Sequence, residues 1–269
     1  TARVAVSPPP LTLRDGLVLE NLGFRYPGSD DFALRNVNLL LPAGGVVAFI
    51  GENGAGKTTL VKLISGLYQP TEGRVRLDSV DLAHVEPRAW RQVVGAGFQD
   101  FCRFEFIARE AIGVGHLPLI NHLPSVTRSL EIAGANRLAS SLRHGLETQF
   151  GSTWPEGTDL SGGQWQSVAL ARGAMRPEPI LIILDEPTAA LDPHAEHDLF
   201  ERISEATRLN SANGRITVLV SHRFSTARMA DLIVVLEKGQ VVETGSHADL
   251  VRRGGLYSEL FEIQARAYR

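Results

Sequence analysis

The stretch Gly51-Glu52-Asn53-Gly54-Ala55-Gly56-Lys57-Thr58 constrains this chain more than any other. It matches G-x-x-x-x-G-K-[ST], in which backbone N–H groups, one lysine and one hydroxyl surround a triphosphate and its magnesium. With glycine at average usage, a random chain of this length would carry the pattern roughly once in a hundred. The flanks read as the strand and helix that such a loop joins. Val46-Val47-Ala48-Phe49-Ile50 is a continuous apolar run, and Leu60, Leu63, Ile64 and Leu67 recur at helical spacing, with Gly66 placed to end the helix.

Bulk properties remove several alternatives. The chain has 269 residues, 43% hydrophobic and 21% charged, enough for one large domain or two small ones. A net charge of −3 carries no overall electrostatic footprint for nucleic acid. No apolar run reaches the length of a bilayer span, and Thr1 to Pro10 lacks the layout of a signal peptide. Cys102 is the single cysteine; it excludes an internal disulfide and reads as a small apolar filler. Ser7-Pro8-Pro9-Pro10 reads as a stiff linker end, and the missing initiator Met suggests an excised or processed chain.

Strand signals follow at Leu17–Glu20, Leu22–Tyr26, Asn36–Leu41 and Gly73–Asp78, the pattern of a small antiparallel sheet. From Phe101 to Arg176 the text reads as mainly helical, with loops at His116–Pro124 and Gly151–Thr158. Ile180–Leu184, Ile216–Val220 and Leu232–Leu236 are continuous runs of apolar or β-branched residues, as expected of parallel strands covered on both faces. Asp192-Pro193 is placed to open a helix, and Glu237–Gln240 to turn into Val241-Val242-Glu243.

Two further stretches carry chemistry. The run Ile180–Leu184 ends in Asp185-Glu186, which delivers two carboxylates to the C-terminal edge of a sheet, where open α/β folds bind ligands. Asp185 would hold a metal, directly or through water, and Glu186 would accept a proton from an attacking water. Leu160-Ser161-Gly162-Gly163-Gln164 places a serine at a helix start with two unobstructed glycines. This is equally an anion site and a simple capped helix after a flexible loop.

These motifs, in this order, resemble the nucleotide-binding domain of ATP-binding cassette (ABC) transporters from about Leu11 to Arg269. The resemblance implies an α/β fold: a P-loop NTPase (RecA-like) core with a mainly parallel sheet, a small antiparallel β subdomain and a helical subdomain. It implies a linker over 1–10 and a cassette over 11–269. Within the cassette, 11–98 and 177–269 form the catalytic core with the β subdomain, and 99–176 form the helical subdomain. Gly51–Thr58 matches the Walker A loop, with Thr59 adjoining it among the nucleotide-binding positions. Ile180–Asp185 matches Walker B, and Glu186 the catalytic glutamate. Leu160–Gln164 matches the signature motif, which binds the γ-phosphate of ATP held by the opposite subunit. Tyr26 matches the aromatic that stacks on adenine, Gln99 the glutamine that senses Mg²⁺ or the attacking water, and His222 the switch histidine. Ala190-Leu191-Asp192 matches the D-loop, with Ala189 where serine is frequent. Thr58, Gln99 and Asp185 are the metal positions so implied. Taken singly, Tyr26 reads first as a packing aromatic and His222 as a polar strand cap; their positions relative to the three strong motifs reverse that order.

The resemblance extends to a subtype. Phe24–Gly28, Trp165-Gln166 and Gly255–Phe261 are similar to exporter cassettes fused behind a membrane domain. Ser152–Thr158, around Glu156-Gly157, lacks the usual Gly-Glu-Arg-Gly of the loop that touches the membrane domain. The aromatic-rich Phe98–Ile107 would form either helical-subdomain core or a groove for a coupling helix of that domain. The implied activity is ATP hydrolysis driving transport, with ATP and Mg²⁺ bound between two head-to-tail cassettes at the cytoplasmic face of a membrane. The partners so implied are a second cassette and a transmembrane domain, without nucleic acid. Two other readings share the motifs: a non-transport ABC ATPase acting on DNA or ribosomes, and a non-hydrolysing regulatory cassette.

Overall fold

The computed structural model describes residues 7–187, 198–202, 204, 205, 207 and 213–267. The expectations for Ala189, Ala190, Leu191, Asp192 and Pro193 lie outside these residues. The chain divides into two compact units. One is Thr1–Val94 with Pro179–Asp185 and Ser204–Arg269; the other is Gly95–Glu178 with Glu186–Ile203.

The strands, in chain order, are β1 (Gly16–Phe24), β2 (Leu34–Pro42), β3 (Val46–Ile50), β4 (Glu72–Leu77), β5 (Val80–Asp81), β6 (Val94–Gly97), β7 (Leu181–Asp185), β8 (Ile216–Val220), β9 (Leu232–Glu237) and β10 (Gln240–Gly245). They form a four-stranded sheet, β2-β1-β4-β5, and a six-stranded sheet, β10-β9-β3-β8-β7-β6. In the larger sheet β3 pairs in parallel with β8 and β9, and β8 with β7. Every residue of β3 and β8 is buried, which explains why both read as apolar apart from the β-branched Thr217: both faces are covered, so neither needs a polar side. Strand β10 turns back antiparallel on β9 through Lys238 and Gly239, both at positive φ, the geometry that matches strand twist in a two-residue hairpin.

The expected strands at Leu17–Glu20 and Leu22–Tyr26 are one strand, β1, whose register with β2 and β4 slips around Asn21. Asn21 has φ 47° and donates its N–H to Asn38 Oδ1 at 2.9 Å, which satisfies the group that the slip removes from the ladder. Tyr26 lies beyond the end of the strand. Helix α1 (Lys57–Ile64) buries Leu60, Val61, Leu63 and Ile64. It ends at Ser65, one residue before Gly66, and its last turn is held from α2 (Pro87–Gln92), where the buried Trp90 donates Nε1–H to Ile64 O at 3.1 Å.

The second unit contains α3 (Ala108–Gly113), α4 (Leu123–Ile132), α5 (Asn136–Ser141) and α6 (Gly162–Gly173). Ile112, Val126, Leu130 and Val168 are fully or almost fully buried, and Trp165 sets its ring edge-on to Phe150 at 5.4 Å. Three expectations are corrected here. Residues 101–107 are not helical. Phe150 N–H donates to Phe106 O and Gln149 Nε2 donates to Glu105 O, so an extended backbone is satisfied by hydrogen bonds to a distant segment. The supposed loop His116–Pro124 contains a 3-10 turn, Val114–Leu119, and the start of α4, with Pro124 in its first turn, where the missing N–H costs nothing. Cys102 is exposed, not a core filler. Among the described residues no helix is long and apolar enough to cross a membrane.

Candidate nucleotide site

Sheet register gathers the residues of the first unit. In the parallel pairs Phe49 lies opposite Val220, and Asp185 opposite the same Val220. The C-terminal ends of β3, β8 and β7 are therefore level. The loop that begins at Gly51 follows β3, His222 comes two residues after β8, and Asp185 is the last residue of β7. All three leave the same edge of the sheet, where ligands bind in open α/β folds.

The loop is built around glycine. Gly51 has φ 153°, and a Cβ there would lie 2.2 Å from Leu236 O. Gly56, at φ 101°, is the N-cap of α1, and a Cβ would meet Leu34 Cδ2 at 2.8 Å. Glu52, Asn53 and Gly54 are exposed, while Ala55 turns inward. No side chain caps α1, so its first N–H groups and the positive end of its dipole remain for an anion. Lys57 is only 6% exposed. Its Nζ donates to Gly51 O at 2.7 Å and Glu52 O at 2.9 Å, which holds the ammonium across the mouth of the loop. This is the cradle that a triphosphate requires.

The donor set also fits Mg²⁺. Thr58 offers a half-buried hydroxyl at the start of α1, and Asp185, 1% exposed, offers a carboxylate at the end of β7. Both are hard oxygen donors. Among the described residues no cluster of three or more His, Cys, Asp or Glu could cage a metal by itself. One or two protein oxygens are what magnesium takes when phosphates and waters complete its shell.

Tyr26 is both a packing and a surface residue. Its ring meets Phe24 edge-on at 5.0 Å and Tyr68 at 5.7 Å, yet 36% of the residue is exposed. Its hydroxyl is hydrogen-bonded to Thr59 Oγ1 at 2.9 Å, which ties the ring to the first turn of α1.

The second unit holds Gln99, Ser161–Gln164 and Glu186. Gln99 is exposed, two residues past β6. Ser161 caps α6 through a reciprocal box: Gln164 N–H donates to Ser161 Oγ at 3.3 Å, and Ser161 N–H donates to Gln164 Oε1 at 2.9 Å. A Cβ on Gly162 would meet nothing within 4 Å, so the end of this helix faces open space. Glu186 is half-buried at φ 49°, a left-handed conformation that costs a non-glycine residue about 1–2 kcal/mol. Its carbonyl accepts from Gln166 Nε2 at 3.0 Å, so the buried Gln166 of α6 holds the strained turn in place. In the sequence Gln166 marks only a likeness to exporter cassettes; its place on α6 gives no sign that it reaches residue 186. The aromatic stretch is not core. Phe104 and Phe106 stack at 5.4 Å, Arg172 lies over Phe104 at 4.5 Å, and Phe106 is 45% exposed.

Comparison with known proteins agrees with this geometry. Residues 34–189 match the family model described as ABC transporter. Over 241 residues the chain is 41% identical to the nisin transport ATP-binding protein NisT of Lactococcus lactis subsp. lactis, covering 90% of this chain and 39% of that protein. It is 38% identical over 258 residues to the ATP-dependent lipid A-core flippase of Alkalilimnicola ehrlichii, 95% of this chain and 42% of that one. A solved bacterial Atm1-family ABC exporter with ATP bound superposes with a TM-score of 0.83 at 32% identity, covering 98% of this chain and 45% of that chain. The chain thus spans about two fifths of the length of such relatives. With more than half of its residues matched by that family model and relatives around 40% identical along nearly its whole length, the chain belongs to the ABC transporter family as an ATP-binding cassette.

Proposed function

We propose that this cassette is the ATP-hydrolysing motor of an exporter, working as one of two head-to-tail copies or near-copies beside a transmembrane domain at the cytoplasmic face of a membrane. The observation that carries the reading is the level ending of β3, β8 and β7, which assembles Lys57, Thr58, Asp185 and His222 along one sheet edge. In domain terms, 11–98 and 177–269 serve as catalytic core with the β subdomain, 99–176 as the helical subdomain, and 1–10 as linker.

In this scheme the Gly51–Thr58 loop and Thr59 take the phosphates, and Lys57 exchanges the Gly51 and Glu52 carbonyls for phosphate oxygens. Thr58, Asp185 and Gln99 would hold Mg²⁺, which would supply charge neutralisation to the triphosphate. Tyr26 stacks on adenine. Glu186 accepts the proton of the attacking water as its oxygen bonds to the γ-phosphorus and the bridging bond to ADP breaks. Lys57, His222 and the Ser161–Gln164 segment of a second copy stabilise the transferring charge, and Asp192 lies among the nucleotide-binding positions. Phe104, Phe106 and the exposed Trp154 form the face that meets the membrane partner.

Phosphate release measured over serial dilution tests the composite site. Turnover per molecule falls as copies separate, and Glu186→Gln binds ATP, accumulates a dimer and releases no phosphate. A rate per molecule independent of concentration, or unchanged turnover in Glu186→Gln, overturns the scheme. Stimulation by duplex DNA rather than by the membrane domain would replace it with a nucleic-acid ATPase.

A further inference from the structure

We propose that Gln264, near the end of the chain, is a positioning residue for His222; this rests on the role given to His222 above. The segment after β8 is pinned at successive peptide groups. Ser221 N–H donates to Phe49 O at 3.3 Å, and Arg223 N–H donates to Ser221 Oγ at 2.9 Å. Gln264 adds two further bonds from one planar amide. Its Nε2 donates to His222 O at 2.5 Å, and its Oε1 accepts from Phe224 N–H at 3.2 Å. One side chain thus bridges the two peptide bonds that flank Arg223, and sets the backbone from which the exposed His222 ring projects.

The helix that carries Gln264, Leu256–Ala267, is itself anchored. Leu256 N–H and Tyr257 N–H donate to the Glu243 carboxylate of β10 at 2.7 and 3.1 Å. The fully buried Tyr257 shares a hydrogen bond with His247 Nδ1 at 2.8 Å. Tyr257 and Phe261 set their rings against Phe224 at 5.1 and 6.0 Å. Residues 257, 261 and 264 fall at i, i+4 and i+7, on one face of the helix. Two aromatic anchors therefore aim the amide at the histidine backbone. The amide answers a carbonyl and an N–H at once, with its donor and its acceptor on two separate atoms of one plane. A glutamate offers acceptors only, and would face the His222 carbonyl with a like dipole.

The test compares Gln264→Met, Gln264→Glu and His222→Ala in ATP turnover, with a double-mutant cycle. Gln264→Met and Gln264→Glu are expected to lower kcat about tenfold, with KM for ATP within about twofold, since neither bond touches the nucleotide. In a His222→Ala background the same changes cause no further loss, because the only group they act through is already gone. Should Gln264→Met not fold, Gln264→Glu carries the test, since it keeps the acceptor for Phe224 N–H and the helix face intact. Normal kcat in the Gln264 variants with His222→Ala inactive overturns the positioning role alone. Additive loss in the double variants also overturns it, since Gln264 would then act elsewhere. Normal kcat in His222→Ala removes the histidine's role and, with it, the inference.

Discussion

Ser161 is the residue at which a structural and a chemical role can be separated. In the structure it caps α6: its Oγ accepts from Gln164 N–H, and the Gln164 side chain returns the favour to Ser161 N–H. Ser161→Ala removes one cap bond at an exposed site, at a cost of about 1 kcal/mol. For a chain of this size that is a fall in Tm of about 2–4 °C. If the serine also donates to the γ-phosphate on a second copy, the loss in turnover is that of a transition-state donor, about 10²–10³-fold. Ser161→Asp makes the separation sharper. Aspartate caps as well as serine and complements the helix dipole, so Tm stays near that of the unaltered chain. Its charge would then face the triphosphate, so turnover falls below that of Ser161→Ala. The assays are calorimetry and phosphate release at a concentration where dimers form. Turnover in Ser161→Asp equal to that of the unaltered chain would reduce Ser161 to a cap and refute the composite site.

Other perturbations follow from the same structure. Gly51→Ala drives a methyl to 2.2 Å from Leu236 O, an overlap of backbone against backbone that costs on the order of 1–3 kcal/mol, and ATP affinity by titration calorimetry should fall more than about tenfold. Tyr26→Phe keeps the contacts with Phe24 and Tyr68 and should bind ATP nearly as well, whereas Tyr26→Ala removes a stacking face and should bind about tenfold more weakly. A phenylalanine variant as weak as the alanine would mean that the bond to Thr59 matters more than the ring. Burial, and then the neighbouring arginines Arg176 and Arg228, hold the pKa values of His116 and His247 below the usual histidine range. The unfolded chain therefore takes up protons first as pH falls through about 6.5, and stability present above that pH is lost below it. Urea midpoints measured from pH 8 to 5.5 should decline toward acid, and a rise would reverse the assignment. Desolvation in turn pushes the Tyr257 hydroxyl up to about 12, so that group stays protonated across the same range.

Much of the site was legible in the text, because its chemistry is contiguous. The loop 51–58 needs its glycines, lysine and hydroxyl in sequence, so no folding is required to see them. The same holds for strands buried on both faces, which read as unbroken runs of apolar or β-branched residues: Ile216–Val220 is β8 residue for residue. Where the expectation failed, a distant partner had overruled local preference. Residues 101–107 read as helical, yet Gln149 and Phe150 supply hydrogen bonds that an extended chain can accept. Cys102 reads as apolar and small, yet it sits on this extended segment and is exposed.

The amino-acid sequence by itself determined that a glycine-rich loop between strand and helix, a pair of strand-end carboxylates and a serine at a helix start would exist, because each is a matter of neighbours along the chain and of periodicity. Only the tertiary structure decided that β3, β8 and β7 end level, so that Lys57, Asp185 and His222 share one edge. It alone brought Gln264 to the backbone of His222, 42 residues away, and Gln166 to that of Glu186. Strand order and side-chain-to-backbone bonds of this kind are pairings between remote segments. No local pattern encodes them, since a glutamine that anchors a distant turn and one that faces water are the same letter in the same helical phase.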